Sequence, residues 1–268
     1  MFERNVPFAK RSFGQNFLVD HDFVEKIVAA VRPTSDDTIV EIGSGRGALT
    51  EELVKNARRV IAIELERDMV TLLDERFSGD ENFQLLAADA LKVNFAELSP
   101  GETLKLVANL PYNVSTAILQ RLIKYRHSFS EMVLMFQREV VDRIAARPGN
   151  TDRGYLTVLV EAYLESERLF DVPPAAFRPS PKVWSSVVRL RPKPDKPKWP
   201  DDRFKRLVSA GFLQKRKTLQ NNLRSSAAAL GLDPERITDL LLVCNIEPSR
   251  RAETLTLSEW ECLALKLD

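Results

Sequence analysis

Between residues 36 and 191, short runs of β-branched and aliphatic residues alternate with longer segments of helical periodicity. Such an alternation predicts β-α-β units, and hence a largely parallel sheet with helices on its faces. The runs that predict strands cover residues 38–42, 60–64, 83–87, 104–108, 131–136, 169–172 and 183–190. Helical periodicity covers residues 22–31 ahead of the sheet and residues 155–165 within it. The pattern therefore predicts a doubly wound α/β domain.

The pattern changes at residues 191–200, R-P-K-P-D-K-P-K-W-P, which contain four prolines and four basic residues. This composition excludes a helix or a central strand. Beyond it, every periodic segment is helical, over residues 201–209, 217–230, 234–242 and 258–266. We therefore predict a first domain over residues 1–191, a proline-rich linker over 192–200 and a small all-helical domain over 201–268.

Composition narrows the class of protein. The chain has 268 residues, of which 44% are hydrophobic and 29% are charged, values typical of a globular protein and not of a disordered one. It contains no run of about 18 to 20 apolar residues and no N-terminal signal sequence, so we expect a cytoplasmic protein without a membrane span. Cys244 and Cys262 have no metal-ligand spacing, and we expect both to be reduced and buried, with no metal bound.

The net charge of +1 hides an uneven distribution. Residues 36–97 hold 14 acidic and 7 basic residues, whereas residues 203–224 hold 7 basic residues and no acidic one. An acidic first half and a basic later part favour a small ligand in one region and a polyanion such as nucleic acid in the other. Solvated helix faces are an equally good interpretation of charge alone.

A glycine-rich turn, G-S-G-R-G-A over residues 43–48, follows the first predicted strand of the sheet and precedes a helix. Glycines let the backbone turn sharply and let a ligand approach closely, so a nucleotide-like ligand is expected there. Glu64 ends the next strand and can accept hydrogen bonds from ribose hydroxyls, while Asp89 follows the third and can accept from an adenine amine or cap a helix. The turn fits both nicotinamide dinucleotides and S-adenosylmethionine, and the acidic lining favours the cationic sulfonium.

The segment Asn109-Leu110-Pro111-Tyr112 ends the fourth predicted strand of the sheet, at the edge where α/β proteins place their ligands. An exocyclic adenine amine is a poor nucleophile because its lone pair is delocalised into the ring. The Asn109 side-chain oxygen and the Leu110 carbonyl can grip its hydrogens and aim that lone pair, and Tyr112 can stack on the base. A tight turn after a strand is the alternative for these four residues alone.

Taken together, these motifs resemble those of the small-subunit ribosomal RNA adenine dimethyltransferases over nearly the whole chain. The matching segments are residues 13–18 (F-G-Q-N-F-L), 41–50, Glu64, 89–90, 109–116 (N-L-P-Y-N-V-S-T), 137–140, 146–149 (A-R-P-G) and 177–183 (F-R-P-S-P-K-V). One departure is the order Gly154-Tyr155, which reverses the tyrosine-glycine order common in the family. The resemblance implies a Rossmann-like class I methyltransferase domain with a helical C-terminal domain.

The resemblance also implies roles for individual residues. The cofactor S-adenosylmethionine would be contacted by Asn16, Leu18, Gly43, Glu64, Asp89 and Asn109. The target adenine would be held by Asn109, Leu110, Tyr112 and Phe177, of which Phe177 reads as a core residue without the family context. Ribosomal RNA would be contacted by Lys215, Arg216, Lys217, Asn221 and Arg224, which mix phosphate-neutralising charges with hydrogen-bonding side chains.

The expected activity is dimethylation of two adjacent adenines near the 3′ end of 16S rRNA, without a metal ion and by a monomer acting on the assembling small subunit. The main alternative is the related Erm-type 23S rRNA adenine methyltransferase. A non-catalytic nucleic-acid-binding factor of the same fold is the alternative from another class. A nicotinamide dehydrogenase ranks third, because no hydride-handling site is recognisable.

Overall fold

A seven-stranded mixed sheet organises the larger part of the protein. The computed structural model describes residues 15–195 and 197–267. The strand order in the sheet is β4-β3-β2-β5-β6-β9-β7, and a separate two-stranded sheet joins β1 to β8. The strands are β1 (Phe17–Leu18), β2 (Thr38–Ile42), β3 (Arg59–Glu64), β4 (Phe83–Ala87), β5 (Leu104–Asn109), β6 (Phe129–Gln137), β7 (Leu164–Val172), β8 (Phe177–Arg178) and β9 (Ser185–Pro192).

Strands β2 to β6 run parallel to their neighbours, whereas β9 pairs antiparallel with β6. The central strands β2, β3 and β5 are almost wholly buried, as expected of strands covered on both faces. Because β3 and β5 flank β2 in parallel, the loops after these strands converge at one edge of the sheet. The predicted α/β architecture is confirmed.

The helices divide between two units of the chain. The described residues up to Val141 form unit 1 together with Ser166–Pro192, and unit 2 combines Asp142–Glu165 with the described residues from Lys193 onward. The helices before residue 150 are α1 (His21–Val31), α2 (Ala48–Asn56), α3 (Arg67–Phe77), α4 (Ser115–Lys124) and α5 (Arg138–Ile144). Those after it are α6 (Tyr155–Tyr163), α7 (Asp201–Gly211), α8 (Leu219–Ser225), α9 (Ala227–Leu230), α10 (Arg236–Val243) and α11 (Leu257–Leu265).

The unit boundary differs from the predicted domains for residues 142–165. Helix α6 packs against α7 and α11, so this segment belongs with the helical unit although it lies between strands in sequence. Helix α6 is buried along nearly its whole length, and the ring of Tyr163 packs edge-on against Phe204, with centroids 5.9 Å apart. Periodicity along the chain identifies a helix but not the unit against which it packs.

Local signals explain most element ends. Asp20 caps α1 by accepting a hydrogen bond from the Asp22 amide, and Thr256 and Glu259 form a reciprocal capping box at α11. Several predicted bounds differ from the structure. The helix predicted over 155–165 ends at Tyr163, β7 begins five residues before its predicted start, and the helix predicted over 217–230 is two short helices, α8 and α9.

The two cysteines correct another expectation. Cys244, at the end of α10, and Cys262, in α11, form a disulfide within unit 2, with Cα atoms 5.8 Å apart. They lie 18 residues apart without a recognisable motif, so their proximity depends on how the chain returns from the end of α10 to α11. No helix in the described part of the chain is long and apolar enough to cross a lipid bilayer.

Candidate active site

A cavity in unit 1 lies at the carboxyl ends of β2, β3, β4 and β5. It encloses about 950 Å³ including its open mouth. Among the described residues that line it there is no lysine or arginine, whereas Glu64, Glu66 and Asp89 contribute carboxyl groups. The cavity therefore suits a ligand that carries positive charge and hydrogen-bond donors.

The glycine turn forms one wall of the cavity. Gly43 and Gly45 have φ angles of +73° and +54°, in the left-handed region that disfavours other residues. A Cβ on Gly43 would lie 3.5 Å from the Asn109 carbonyl oxygen, and one on Gly45 would lie 3.1 Å from the Phe17 ring. Glycine is therefore required at both positions by the φ angle, and at Gly45 also by the close approach of the Phe17 ring.

Glu64 fixes the turn to the end of β3. One carboxylate oxygen accepts a hydrogen bond from the Gly45 amide at 3.0 Å, and the other accepts from the amides of Leu65 at 2.8 Å and Glu66 at 2.9 Å. A carboxylate offers about four acceptor positions, so one remains for a ligand. Glu64 therefore lines the cavity as predicted, and it also holds the backbone that shapes the cavity, which the sequence did not indicate.

Glu41 is a buried carboxyl behind the glycine turn for which sequence analysis predicted no role. It lies in β2, is only 1% exposed and accepts a hydrogen bond from the Thr50 hydroxyl at 2.6 Å. Burial, with a smaller contribution from the Glu64 charge, raises the pKa of Glu41 to about 7, although the Thr50 and Ser44 hydroxyls oppose the shift. A charged residue type inside an otherwise apolar strand was the signal that could have identified it.

Asp89 lines the cavity after β4, and it does not cap a helix, which was the alternative role. Its carboxylate accepts a hydrogen bond from the Leu91 amide at 2.9 Å, and its backbone carbonyl accepts from the Lys92 amide at 2.8 Å. No helix follows directly, so the side chain stabilises a turn. The turn holds the carboxylate at the cavity wall, where its second oxygen can accept from a ligand.

The Asn109–Tyr112 segment forms another part of the cavity wall. The Asn109 side-chain amide donates a long hydrogen bond of 3.5 Å to the Asn16 carbonyl, which orients its oxygen as the remaining acceptor. Leu110 is buried, and the Tyr112 hydroxyl lies 2.7 Å from the Ser185 hydroxyl. Burial raises the pKa of Tyr112, so this side chain is a neutral phenol near pH 7. The ring is thereby held in a fixed position at the cavity wall.

The two predicted cofactor contacts of the N-terminal segment, residues 13–18, behave differently. Asn16 and Phe17 line the cavity, and the Arg46 guanidinium lies 4.4 Å from the centre of the Phe17 ring. Leu18 does not line the cavity, because its side chain packs in the hydrophobic core of unit 1. Phe13 and Gly14, which were part of the same motif, lie outside the described residues.

The structure does not bring Phe177 into the cavity. Its ring is 0% exposed and belongs to the core of unit 1, while its backbone pairs with Leu18 between β8 and β1. The expected stacking face is therefore covered by protein in this structure. Phe177 instead supports the short sheet that carries the Asn16 segment, which agrees with the interpretation of the residue type alone.

The predicted RNA-binding residues lie in unit 2. Lys215, Arg216 and Lys217 are exposed, and within the described chain none of them forms an ion pair. They lie in the turn between α7 and α8, not on a helix, because Thr218 caps α8 at its start. Asn221 and Arg224 are exposed on α8, and Arg224 donates to the Thr238 hydroxyl at 3.0 Å.

Neighbouring Asn222, in contrast, has a structural role. It is buried, and its side-chain amide donates to the Gly211 carbonyl at 2.6 Å and to the Gln214 carbonyl at 3.1 Å. These bonds tie α8 to the end of α7 and to the turn that carries the three basic residues. The asparagine pair at 221–222 therefore divides between surface and core.

Comparison with known proteins identifies the family of the chain. The family described as ribosomal RNA adenine dimethylase matches residues 8–261. A protein of Hahella chejuensis named ribosomal RNA small subunit methyltransferase A is 41% identical, over 96% of this chain and 92% of its own length. A protein of the same name from Acidithiobacillus ferrooxidans is 44% identical over 95% of this chain and 93% of its own length.

Solved structures agree with these relatives. A dimethyladenosine transferase from Plasmodium falciparum superposes with a TM-score of 0.80 at 27% identity, over 93% of this chain and 96% of that one. The 23S rRNA methyltransferase ErmE, at 24% identity and a TM-score of 0.67, covers 94% of this chain and 100% of its own, and shares the fold. The predicted Rossmann-like methyltransferase fold with a helical C-terminal part is thus confirmed, and the chain belongs to the ribosomal RNA adenine dimethylase family.

Proposed function

We propose that this protein transfers methyl groups from S-adenosylmethionine to N6 of two adjacent adenines near the 3′ end of small-subunit rRNA. The observation that carries the proposal is the convergence of Glu64, Asp89 and the Asn109–Tyr112 segment on one cavity. The curated relatives named above are small-subunit rRNA methyltransferases, which favours this substrate over the 23S rRNA of Erm-type enzymes.

The residues present fit S-adenosylmethionine. Glu64 and Asp89 offer carboxylate acceptors for ribose hydroxyls and an adenine amine, and a cavity wall without basic residues tolerates a sulfonium better than a pyrophosphate. The glycines at positions 43 and 45 leave backbone, not side chains, along that wall. When bound, the cofactor supplies an electrophilic methyl group.

The chain's own contribution to the chemistry is positioning. Asn109 and the Leu110 carbonyl accept hydrogen bonds from the target amine and so direct its lone pair toward the methyl group. Tyr112 stacks on the base, since its hydroxyl is already anchored to Ser185. The amine loses a proton as the new bond forms, and we propose that this proton passes to water. A protein base is not needed for this step, because correct alignment of the amine supplies a large part of the acceleration.

The alternative of a non-catalytic nucleic-acid-binding factor is favoured by the exposed, unpaired basic residues of unit 2. We propose catalysis because the cavity retains the acidic and acceptor groups that such a factor does not need. We further propose that the protein acts as a monomer in the cytoplasm, where small subunits assemble, and that it requires no metal ion.

The test is incubation of the purified protein with radiolabelled S-adenosylmethionine and immature small subunits from an unmethylated strain, followed by mapping of the modified nucleotides. Two adjacent dimethyladenines near the 3′ end of the small-subunit rRNA are the expected result. Label on 23S rRNA would favour the Erm-type activity. Subunit binding without cofactor binding or label would favour the non-catalytic factor.

A further inference from the structure

A second cavity lies wholly within unit 2, between α6, α7 and α9. It is an open groove of about 700 Å³ including its mouth. Lys205, Arg206 and Ser209 line it from α7, Tyr155 from the start of α6, and Leu230 from the end of α9. Apart from Tyr155, where the chain departs from the family's tyrosine-glycine order, no family motif described above lines this groove, and the predicted RNA-binding residues do not line it.

The charges of the groove are not neutralised by the protein. Within the described residues, neither Lys205 nor Arg206 forms an ion pair or a side-chain hydrogen bond, and the described lining includes no carboxylate. They lie among the seven basic residues of the segment 203–224, which contains no acidic residue. Two adjacent unpaired cations at a groove wall attract an anion, and a phosphodiester is the anion that a polyanionic substrate supplies.

The apolar part of the groove suits a base. Tyr155 is half-buried, and within the described chain its hydroxyl has no hydrogen-bond partner. Burial raises the pKa of Tyr155, so the ring is uncharged and the hydroxyl can donate. Leu213, which is 56% exposed, and Leu230 line the groove with Tyr155. An aromatic ring beside aliphatic side chains and cations is the arrangement with which proteins bind unstacked nucleotides.

The backbone explains why Tyr155 faces this groove. Gly154 precedes α6 in an extended conformation, and its amide donates to the Thr157 hydroxyl at 3.0 Å. Arg153, directly before it, is buried and donates to the Ala146 carbonyl at 3.0 Å. The reversed order Gly154-Tyr155 thus places the tyrosine as the first residue of α6, where its ring reaches α7.

We infer that this groove binds one unpaired nucleotide of the rRNA substrate, with its phosphate on Lys205 and Arg206 and its base on Tyr155. The inference rests on the proposed function, because it names a second contact of the same substrate. Charge complementarity identifies the occupant: a protein partner would need an acidic segment, whereas RNA supplies phosphate and base together.

The test compares two double variants in the full-length protein. Lys205→Gln with Arg206→Gln removes the groove cations, and Arg236→Gln with Arg251→Gln removes two exposed cations of unit 2 that do not line the groove. Binding to immature small subunits is measured across salt concentrations. The groove variant should bind at least tenfold more weakly, and its slope of log K against log salt should fall by about 0.7, since one phosphate contact is lost. The control should change less than about threefold.

A second pair of variants tests the contact between Tyr155 and the base. Tyr155→Ala should weaken binding about tenfold, whereas Tyr155→Phe keeps the ring and should retain most of the affinity. Ultraviolet crosslinking of the parent protein to the subunits should yield an RNA adduct on the peptide that contains Tyr155. Circular dichroism and the affinity for S-adenosylmethionine check that each variant is folded.

Equal behaviour of the groove and control variants would overturn the inference. So would weaker subunit binding with an unchanged salt slope and no RNA adduct, which would assign the groove to a ribosomal protein. In either case the parent protein would still methylate the subunits. Failure of the proposed function is distinguishable, because the parent itself would then give no methylated adenine.

Discussion

At the scale of single residues, Asn109 is the side chain on which the proposed chemistry depends most. Its amide nitrogen is directed toward the Asn16 carbonyl, so its oxygen is the acceptor left for the target amine. The second acceptor is the backbone carbonyl of Leu110, and a side-chain substitution does not remove it. Asn109 is therefore the position at which mutation separates amine alignment from the remaining contacts.

We predict that Asn109→Ala lowers the single-turnover rate of methyl transfer at least 100-fold, because misplacing the amine by about 1 Å has an effect of that size. The second methyl transfer should suffer at least as much, since a monomethylated amine keeps one hydrogen to be held. Rates are measured for each methyl group separately, with Asn56→Ala, an exposed asparagine of α2, as the control. A folded variant with the parental rate would show that Asn109 is only a turn residue.

Glu64 combines ligand binding with support of the glycine turn, and two substitutions separate these roles. Glu64→Gln keeps an acceptor oxygen but replaces the other with a donor facing backbone amides, whereas Glu64→Ala removes the anchor altogether. We expect both to weaken S-adenosylmethionine binding, by roughly 1.5 to 3 kcal/mol for the lost charge-assisted bonds. We expect Ala also to lower the melting temperature.

Titration calorimetry and thermal melting measure the two effects. If both variants bind the cofactor with the parental Kd, the assignment of Glu64 to the ribose is wrong. If both variants also have the melting temperature of the parent, the three backbone hydrogen bonds of Glu64 contribute nothing measurable to stability.

Glu41 provides a prediction about pH. Its folded-state pKa of about 7 lies above the ordinary value of 4.5, so folding favours the protonated form. The stabilising contribution is therefore complete below about pH 4.5 and is lost as the pH rises through 7, on the order of 3 kcal/mol in total. Glu41→Gln should be more stable than the parent at pH 8, and the difference should shrink toward pH 5. Urea unfolding at several pH values measures this, and a pH-independent difference would contradict it.

At the scale of secondary-structure elements, the glycine turn depends on how closely α2 and α3 approach. Gly47 precedes α2 with a φ of +80°, and a Cβ there would lie 2.6 Å from the Phe77 ring of α3. Phe77 is itself buried, so the ring has little room to move. The glycine is required by both backbone conformation and packing.

Gly101 is a matched control, because its φ is +84° and a Cβ there would meet nothing within 4 Å. We predict that Gly101→Ala destabilises by about 1 kcal/mol, from backbone strain alone, and Gly47→Ala by about 1 to 3 kcal/mol more, from overpacking. Chemical denaturation of both variants gives the comparison. Equal decreases in the free energy of unfolding would mean that the Phe77 ring moves aside without an energetic cost.

At the scale of the whole molecule, acidic and basic regions fall in different units. The cavity of unit 1 is lined by carboxylates, whereas Lys215, Arg216 and Lys217 are exposed in unit 2. A small cationic ligand and a polyanion can therefore be bound by the same chain without competing for charge. Mutations in one region should leave the other ligand unaffected.

We predict that replacing Lys215, Arg216 and Lys217 with Gln weakens binding to the small subunit and lowers its salt slope by about 2, because three phosphate contacts are lost. The Kd for S-adenosylmethionine should stay the same. Subunit binding is measured at salt concentrations from about 50 to about 200 mM. An unchanged slope would identify the turn as an ordinary solvated surface.

Local patterns along the chain specify the order of the elements and the identity of the acceptor groups. Hydrophobic periodicity located strands β2 to β6, and the rule that ligands bind at the carboxyl ends of parallel strands brought Gly43, Glu64, Asp89 and Asn109 together. These are local properties, because each depends on residues within one strand and the loop after it.

Tertiary structure decided everything that depends on distant contacts. Phe177 and Leu18 turn into the core of unit 1, where β8 pairs with β1, and Cys244 meets Cys262 although α10 packs mainly against α8 and α11 mainly against α7. Residues 142–165 joined the helical unit because α6 is buried on nearly all sides. Burial and disulfide pairing depend on which surfaces meet, and the spacing of residues along a chain carries no direct record of that.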